Sequence, residues 1–143
     1  VIKKKISKIF VPLDGSKNSE RGLETAITLA RNCGATITGF YSINAQPHSE
    51  FRGSPSVEKS LHKEVKKIME KAKVLAAQNG IVFKDKIALG EIGYNIIKAT
   101  HGKTKYDMIV MGSRGRSIKK EIFFGSVSNY VIHTSKIPVL IVK

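Results

Sequence analysis

A chain of 143 residues, 41% hydrophobic and 25% charged, has a globular rather than a disordered composition, and its length predicts one domain over 1–143 with a sizeable core. The single cysteine, Cys33, excludes an intrachain disulfide or a cysteine metal cluster, and no apolar run approaches a membrane span. A formal net charge of +14 attracts anions such as nucleotides, nucleic acids or acidic membranes, but lysines dispersed along the chain favour solvated faces over a dedicated nucleic-acid groove.

The start, Val1-Ile2-Lys3-Lys4-Lys5, lacks the apolar core and cleavage site of a signal peptide, so a cytoplasmic location is the expectation. A first strand is predicted from about Ser7 to Leu13, with Pro12 near its end, where a missing N–H costs little. Asp14-Gly15-Ser16 turns the chain into a helix whose Leu23, Ala26, Ile27 and Ala30 share one face and which Cys33-Gly34 closes. Asp14 is read in two ways. An Asp before Gly often only makes the turn, yet the carboxyl end of a strand in an open α/β sheet is where ligands bind.

Ala35 to Ile43, rich in Thr, Ile and aromatic residues, predicts the second strand. Asn44 to Ser56, with Pro47, Gly53 and Pro55, is the one long polar connection, either a lid or a solvated loop. From Val57 to Asn79 apolar residues recur at Leu61, Val65, Ile68, Met69, Ala72, Leu75 and Ala76, the stripe of an amphipathic helix, and Asn79-Gly80 ends it. Lysines line the other face, as on many surface helices. Ile81 to Leu89 is a third strand whose Lys84, Asp85 and Lys86 place it at a sheet edge. A shorter helix follows Gly90 with Ile96, Ile97 and Thr100, and His101-Gly102 stops it. His48, His62, His101 and His133 have no helical pairing that would argue for zinc, and His133 reads as a helix-end residue.

Tyr106-Asp107-Met108-Ile109-Val110 predicts a buried fourth strand, and a helix begins near Ser126 with Val127, Val131 and Ile132 and runs to about Ser135. Between them lies a glycine-rich connection. Gly112 and Gly115 permit positive φ and let backbone approach a ligand, while Ser126 and Ser128 place hydroxyls at a helix start, where unpaired N–H groups attract anions. Arg114, Arg116, Lys119 and Lys120 add positive charge. A phosphate-bearing ligand is the functional reading; a ligand-free glycine turn is the plainer one. The spacing is neither a P-loop nor a dinucleotide fingerprint, and the Gly-x-x-Gly of KH domains joins two helices rather than following a strand. No serine lies in a Gly-x-Ser-x-Gly elbow, which argues against an acyl-transfer enzyme. Ile137 to Val142 is a fifth strand, its nearly continuous apolar residues suited to cover on both faces. Alternating strands and helices predict a parallel α/β sheet, with the strand order left open by the spacing.

Gly112, Gly115, Gly125 and Ser126 fit Gly-x-x-Gly, nine residues, then Gly-Ser, and at these residues the chain resembles the universal stress protein family, ATP-binding branch. Ile9-Phe10-Val11-Pro12-Leu13-Asp14-Gly15-Ser16 resembles the family's first strand and turn, and Ser135-Lys136-Ile137-Pro138-Val139-Leu140-Ile141-Val142 its last strand. The resemblance covers essentially the whole chain as a single universal stress protein domain. It implies a Rossmann-like, adenine nucleotide alpha hydrolase-like open five-stranded parallel sheet of order 3-2-1-4-5, with helices on both faces and Asp14 and Gly112 bordering one crevice. It further implies an ATP site in which Gly112, Ser113, Arg114, Gly115, Gly125, Ser126, Val127 and Ser128 surround ribose and phosphates. Asp14, with Pro12 beside it, meets the nucleoside end, and the backbone near Ser42 and Ile43 reads adenine. AMP, ADP or cyclic AMP are alternative occupants, and Mg²⁺ is expected, if at all, as a bridge between phosphates near Asp14 or Ser126. The function so implied is a nucleotide-dependent switch in stress response with at most slow ATP hydrolysis, since no Walker-type Lys-Ser pair or second acidic motif is visible. The family also implies a homodimer through Ile137 to Val142. A nucleotide-independent interaction module and a nonspecific nucleic-acid-binding protein are the rival readings.

Overall fold

The computed structural model describes residues 2–44, 55–114 and 125–143. The elements in chain order are β1 (Lys8–Pro12), α1 (Lys17–Cys33), β2 (Thr36–Ile43), α2 (Pro55–Gln78), β3 (Phe83–Leu89), α3 (Ile92–Thr100), β4 (Met108–Gly112), α4 (Ser126–Thr134) and β5 (Val139–Val142). The strands form one parallel sheet in the order β3-β2-β1-β4-β5, as the resemblance implied.

Side-chain alternation along the strands divides the core in two. Ile9, Val11, Ile37, Tyr41, Ile43 and Val110 point to one face, where Leu23, Ala26, Ile27 and Ala30 of α1 and Val65, Met69, Ala72 and Ala76 of α2 cover them. Phe10, Phe40, Ile109 and Met111 point to the other, against Ile96 of α3 and Val131 of α4. Phe10 is the centre of that second layer, its ring 5.1 Å from Phe40 and 5.0 Å, edge to face, from Tyr106.

Local chemistry sets the boundaries. Ser16 caps α1 by accepting the Ser19 N–H at 3.1 Å, and Gly34 ends it in the left-handed region at φ 66°. The β1 start is pinned to the β4 start by Asp107, whose Oδ2 accepts the N–H groups of Ser7 and Lys8 at 2.8 and 2.9 Å and the Ser7 hydroxyl at 3.1 Å. Lys84, Asp85 and Lys86 are exposed on β3, which does occupy a sheet edge.

Some boundaries differ from the sequence expectation. Ile81 precedes β3 and is buried as the chain leaves α2, its N–H donating to Ala76 C=O. Tyr106 lies before β4 and is buried edge to face against Phe10, while β4 itself runs on to Gly112. Ile137 belongs to a turn in which its N–H donates to the Ser135 hydroxyl and its C=O accepts from it, so β5 starts two residues later. β5 is also less covered than its composition predicts: Leu140 is 36% exposed and its neighbours are half-buried, because the sheet continues only on the β4 side. The connection expected from Asn44 to Ser56 lies largely outside the described residues, and α2 already includes Pro55. Among the described residues no helix is long and apolar enough to cross a membrane.

Candidate functional site

The sheet order puts the carboxyl ends of β1 and β4 side by side while their connections leave in opposite directions, β1 by α1 towards β2 and β4 by α4 towards β5. A crevice opens at such a switch point. It holds a cavity of about 360 Å³, within the range of roughly 300 to 1,000 Å³ typical of small-molecule sites.

One end of the cavity is polar. Ser113 is 1% exposed and ties three elements together: its N–H donates to Val142 C=O at 2.9 Å, and its C=O accepts both the Gly125 N–H and the Ser128 hydroxyl at 2.8 Å. This fixes where α4 starts. Gly125 is the N-cap, no side chain among the described residues caps the helix, and the first turn, Ser126, Val127 and Ser128, lines the cavity. By contrast α1 is capped by Ser16 and α3 by Glu91, whose carboxylate accepts the N–H groups of Gly93 and Tyr94 at 3.0 and 2.6 Å. Arg114, half-buried, borders the same end.

Across the crevice Asp14 is half-buried, and its Oδ1 accepts the Ser16 N–H at 2.8 Å. The carboxylate thus makes the turn into α1 and also borders the cavity. The other end is apolar, lined by Phe40, Tyr41, Ile43, Leu61, Ile92, Ile96 and Met111.

At that end backbone is on offer. Leu13 N–H donates to Phe40 C=O at 2.8 Å on the β1 side of β2, and Gly90 N–H donates to Ile43 C=O at 2.8 Å on the β3 side. Backbone groups alternate sides along a strand, so Ser42 N–H and C=O face the β1 side, beyond Pro12, where β1 has ended. The Ser42 hydroxyl is turned to the protein, donating to Gly90 C=O at 3.3 Å and accepting from Asn95 Nδ2 at 2.9 Å.

Of the residues singled out by sequence, Pro12, Asp14, Ser42, Ile43, Gly112, Arg114, Gly125, Ser126, Val127 and Ser128 all border this one cavity. Ser113 stands behind it as the anchor just described, and Gly115 lies outside the described residues. Ser128 is 2% exposed, and its hydroxyl is committed to Ser113 and Gly125 C=O, so its side chain ties the α4 start to the end of β4.

Gly112 requires a correction. Its φ is not positive, and what a side chain would meet is α1: a Cβ there falls 2.8 Å from the Asn18 carbonyl carbon and 3.1 Å of space is all that separates a Cβ on Gly22 from Gly112 N. The missing side chain is what lets α1 approach β4 this closely. Sequence reading missed Asn18, whose Oδ1 accepts the Arg114 N–H at 2.9 Å, and the α3 residues Ile92 and Ile96. An apolar stripe on α3 gave no sign that its first turn would border a site. Among the described residues no group of three or more His, Cys, Asp or Glu side chains is placed to hold a metal ion.

Comparison with known proteins agrees with this architecture. The family model described as universal stress protein family matches residues 5–143. The chain is 33% identical over 148 residues to universal stress protein YxiE of Bacillus subtilis, covering 96% of this chain and 99% of that protein. It is 30% identical over 142 residues to universal stress protein MJ0531 of Methanocaldococcus jannaschii, covering 95% and 81%. Among solved structures, MJ0577 superposes with a TM-score of 0.89 at 29% identity, over 98% of this chain and 97% of that one. The same fold recurs at 22% identity and TM-score 0.73 in a universal stress protein solved with cAMP, covering 98% of each chain, and in one from Archaeoglobus fulgidus solved with dAMP, covering 96% and 98%. The chain belongs to the universal stress protein family.

Proposed function

We propose that this protein binds an adenine nucleotide, with ATP as the leading ligand, and acts as a nucleotide-dependent regulatory switch in the stress response. The observation that carries this reading is the start of α4, without a side-chain cap among the described residues, opening into a cavity whose far end is apolar. Amide donors at a helix start complement phosphate charge, and hydrogen bonds to charged groups contribute about 1.5 to 3 kcal/mol each. In this reading the N–H groups of Ser126, Val127 and Ser128, the Ser126 hydroxyl and Arg114 hold phosphates. Asp14 meets the ribose side, and Ser42 N–H and C=O read the adenine edge between the apolar side chains. Two proteins of this fold carry adenine nucleotides, cAMP and dAMP, which supports an adenine ligand and leaves ATP, ADP, AMP and cyclic AMP as the set to be ranked. If Mg²⁺ accompanies the phosphates, Asp14 is the acid on hand.

In this reading hydrolysis is slow at most, and the bound nucleotide acts by biasing a conformational population. The outer edge of β5, with Leu140 exposed, supports a homodimer in which antiparallel edges satisfy each other's backbone groups. A cytoplasmic location and a single domain complete the reading.

Isothermal titration with ATP, in the presence and absence of Mg²⁺, is the test, alongside Gly125→Val. A branched side chain beside the α4 start is expected to reduce ATP affinity at least tenfold while the protein stays folded. A folded wild type with no measurable heat or saturation for any adenine nucleotide defeats the proposal.

A further inference from the structure

The peptide that links β4 to the glycine-rich connection is held from outside that connection, by one side chain of α1. Asn18 Oδ1 accepts the Arg114 N–H at 2.9 Å and lies 3.4 Å from the Ser113 hydroxyl, which donates to it. Asn18 is the second residue of α1, directly after the Asp14-Gly15-Ser16 turn, and it lies 95 and 96 positions from these two partners. Its backbone is pressed against Gly112, so the side chain has a fixed base from which to reach.

The same peptide leads on to the other half of the site. Ser113 C=O is the acceptor that locates Gly125 N–H and the Ser128 hydroxyl, and therefore the α4 start. The orientation of the 113–114 peptide is thus set on one side by Asn18 and on the other by α4. Asn18 itself is not among the residues that border the cavity, whereas Arg114 is.

We infer that Asn18 is a positioning residue for the phosphate end of the site: it registers the β1–α1 turn against the β4–α4 connection so that Arg114 and the α4 amides converge on one anion. This rests on the nucleotide reading above. Its distinguishing consequence is that loss of the clamp is felt by phosphates and not by the base, because the adenine end is organised separately by Ser42, Gly90 and Asn95.

The experiment compares wild type, Asn18→Ala and Asn18→Asp by titration with ATP and with adenosine, together with amide hydrogen exchange at Arg114. Alanine near a helix start keeps the helix, and the Asn18 backbone contacts with Gly112 do not depend on the side chain. Asn18→Ala is expected to speed exchange at Arg114 and weaken ATP about fivefold to tenfold, the size of one hydrogen bond, while adenosine affinity changes less than twofold. Asn18→Asp keeps an acceptor and is expected to retain slow exchange at Arg114.

Wild-type ATP affinity in an Asn18→Ala variant whose Arg114 amide has become unprotected overturns the inference, as does an equal loss for ATP and adenosine. Fast exchange at Arg114 in the wild type removes the contact itself. A wild type that binds no nucleotide defeats the proposed function instead, and the inference falls with it; binding of ATP without sensitivity to Asn18 defeats this inference alone.

Discussion

Gly112→Ala is the sharpest test of how the two halves of the crevice are joined. A Cβ on residue 112 would lie 2.4 Å from Asn18 Oδ1 and 2.8 Å from both the carbonyl carbon and oxygen of Asn18. The first of these atoms belongs to a side chain that is able to swing away; the other two are helix backbone, so α1 or β4 has to move. Overpacking of this kind costs about 1 to 3 kcal/mol, and displacing Asn18 Oδ1 from the Arg114 N–H costs about 1 kcal/mol more. A total of roughly 2 to 4 kcal/mol lowers the melting temperature by about 4 to 16 °C in a chain of this size. Calorimetric melting of the unliganded protein reads it directly. Gly102→Ala is the matched control, since the nearest atom to its Cβ is Lys98 O at 3.4 Å, an ordinary contact, and its φ is not in the left-handed region. A Gly112→Ala protein that melts within 1 °C of wild type would show that α1 does not approach β4 as described.

Two further outcomes are expected. The carboxyl of Asp107 feels burial, which pushes its pKa up, but the N–H groups of Ser7 and Lys8, the Ser7 hydroxyl and the charge of Lys4 outweigh this and hold it below the ordinary value of 3.8. A carboxylate lowered on folding contributes stability above its unfolded pKa and loses it as pH falls through the folded value; Asp107→Asn is therefore expected to destabilise the protein at neutral pH and to match wild type in melting temperature at strongly acid pH, and a difference that is constant with pH refutes the assignment. At the other edge of the sheet, Leu140→Arg puts charge on the exposed side chain of β5; light scattering is expected to show monomer where wild type shows dimer, and an unchanged mass removes the β5 pairing.

The architecture was legible because local pattern and fold rules point the same way. Leu23, Ala26, Ile27 and Ala30 recur at helical spacing and are buried on α1. Lys84, Asp85 and Lys86 mark an exposed edge, and β3 lies at one. Gly34 ends α1 at positive φ because only a residue without Cβ does so freely. Strand ends were less legible where tertiary packing replaced ladder bonding. Ile81, Tyr106 and Ile137 look like strand residues, but Ile81 and Tyr106 are buried by helix exit and an edge-to-face ring contact, and Ile137, half-buried, is held in a serine turn.

The site divides along the same line. Its glycines and serines stand close together in sequence, so their spacing is visible; the residues that orient them come from distant segments, so nothing local marks them. Asn18 looks like any polar residue at a helix start until β4 is laid beside α1, and Asn95 looks like any exposed helix residue until its amide is found on the Ser42 hydroxyl. The same limit explains Gly112. Sequence assigns its missing side chain to a ligand, whereas the fold assigns it to Asn18 on one side and to the cavity on the other. Replacing this glycine perturbs the α1–β4 packing, so a loss of ligand binding in such a variant would not by itself report on the cavity. This is why the proposed phosphate end is better probed through Asn18→Ala, which leaves every glycine in place, and why the contrast between ATP and adenosine carries more information than the loss of ATP by itself.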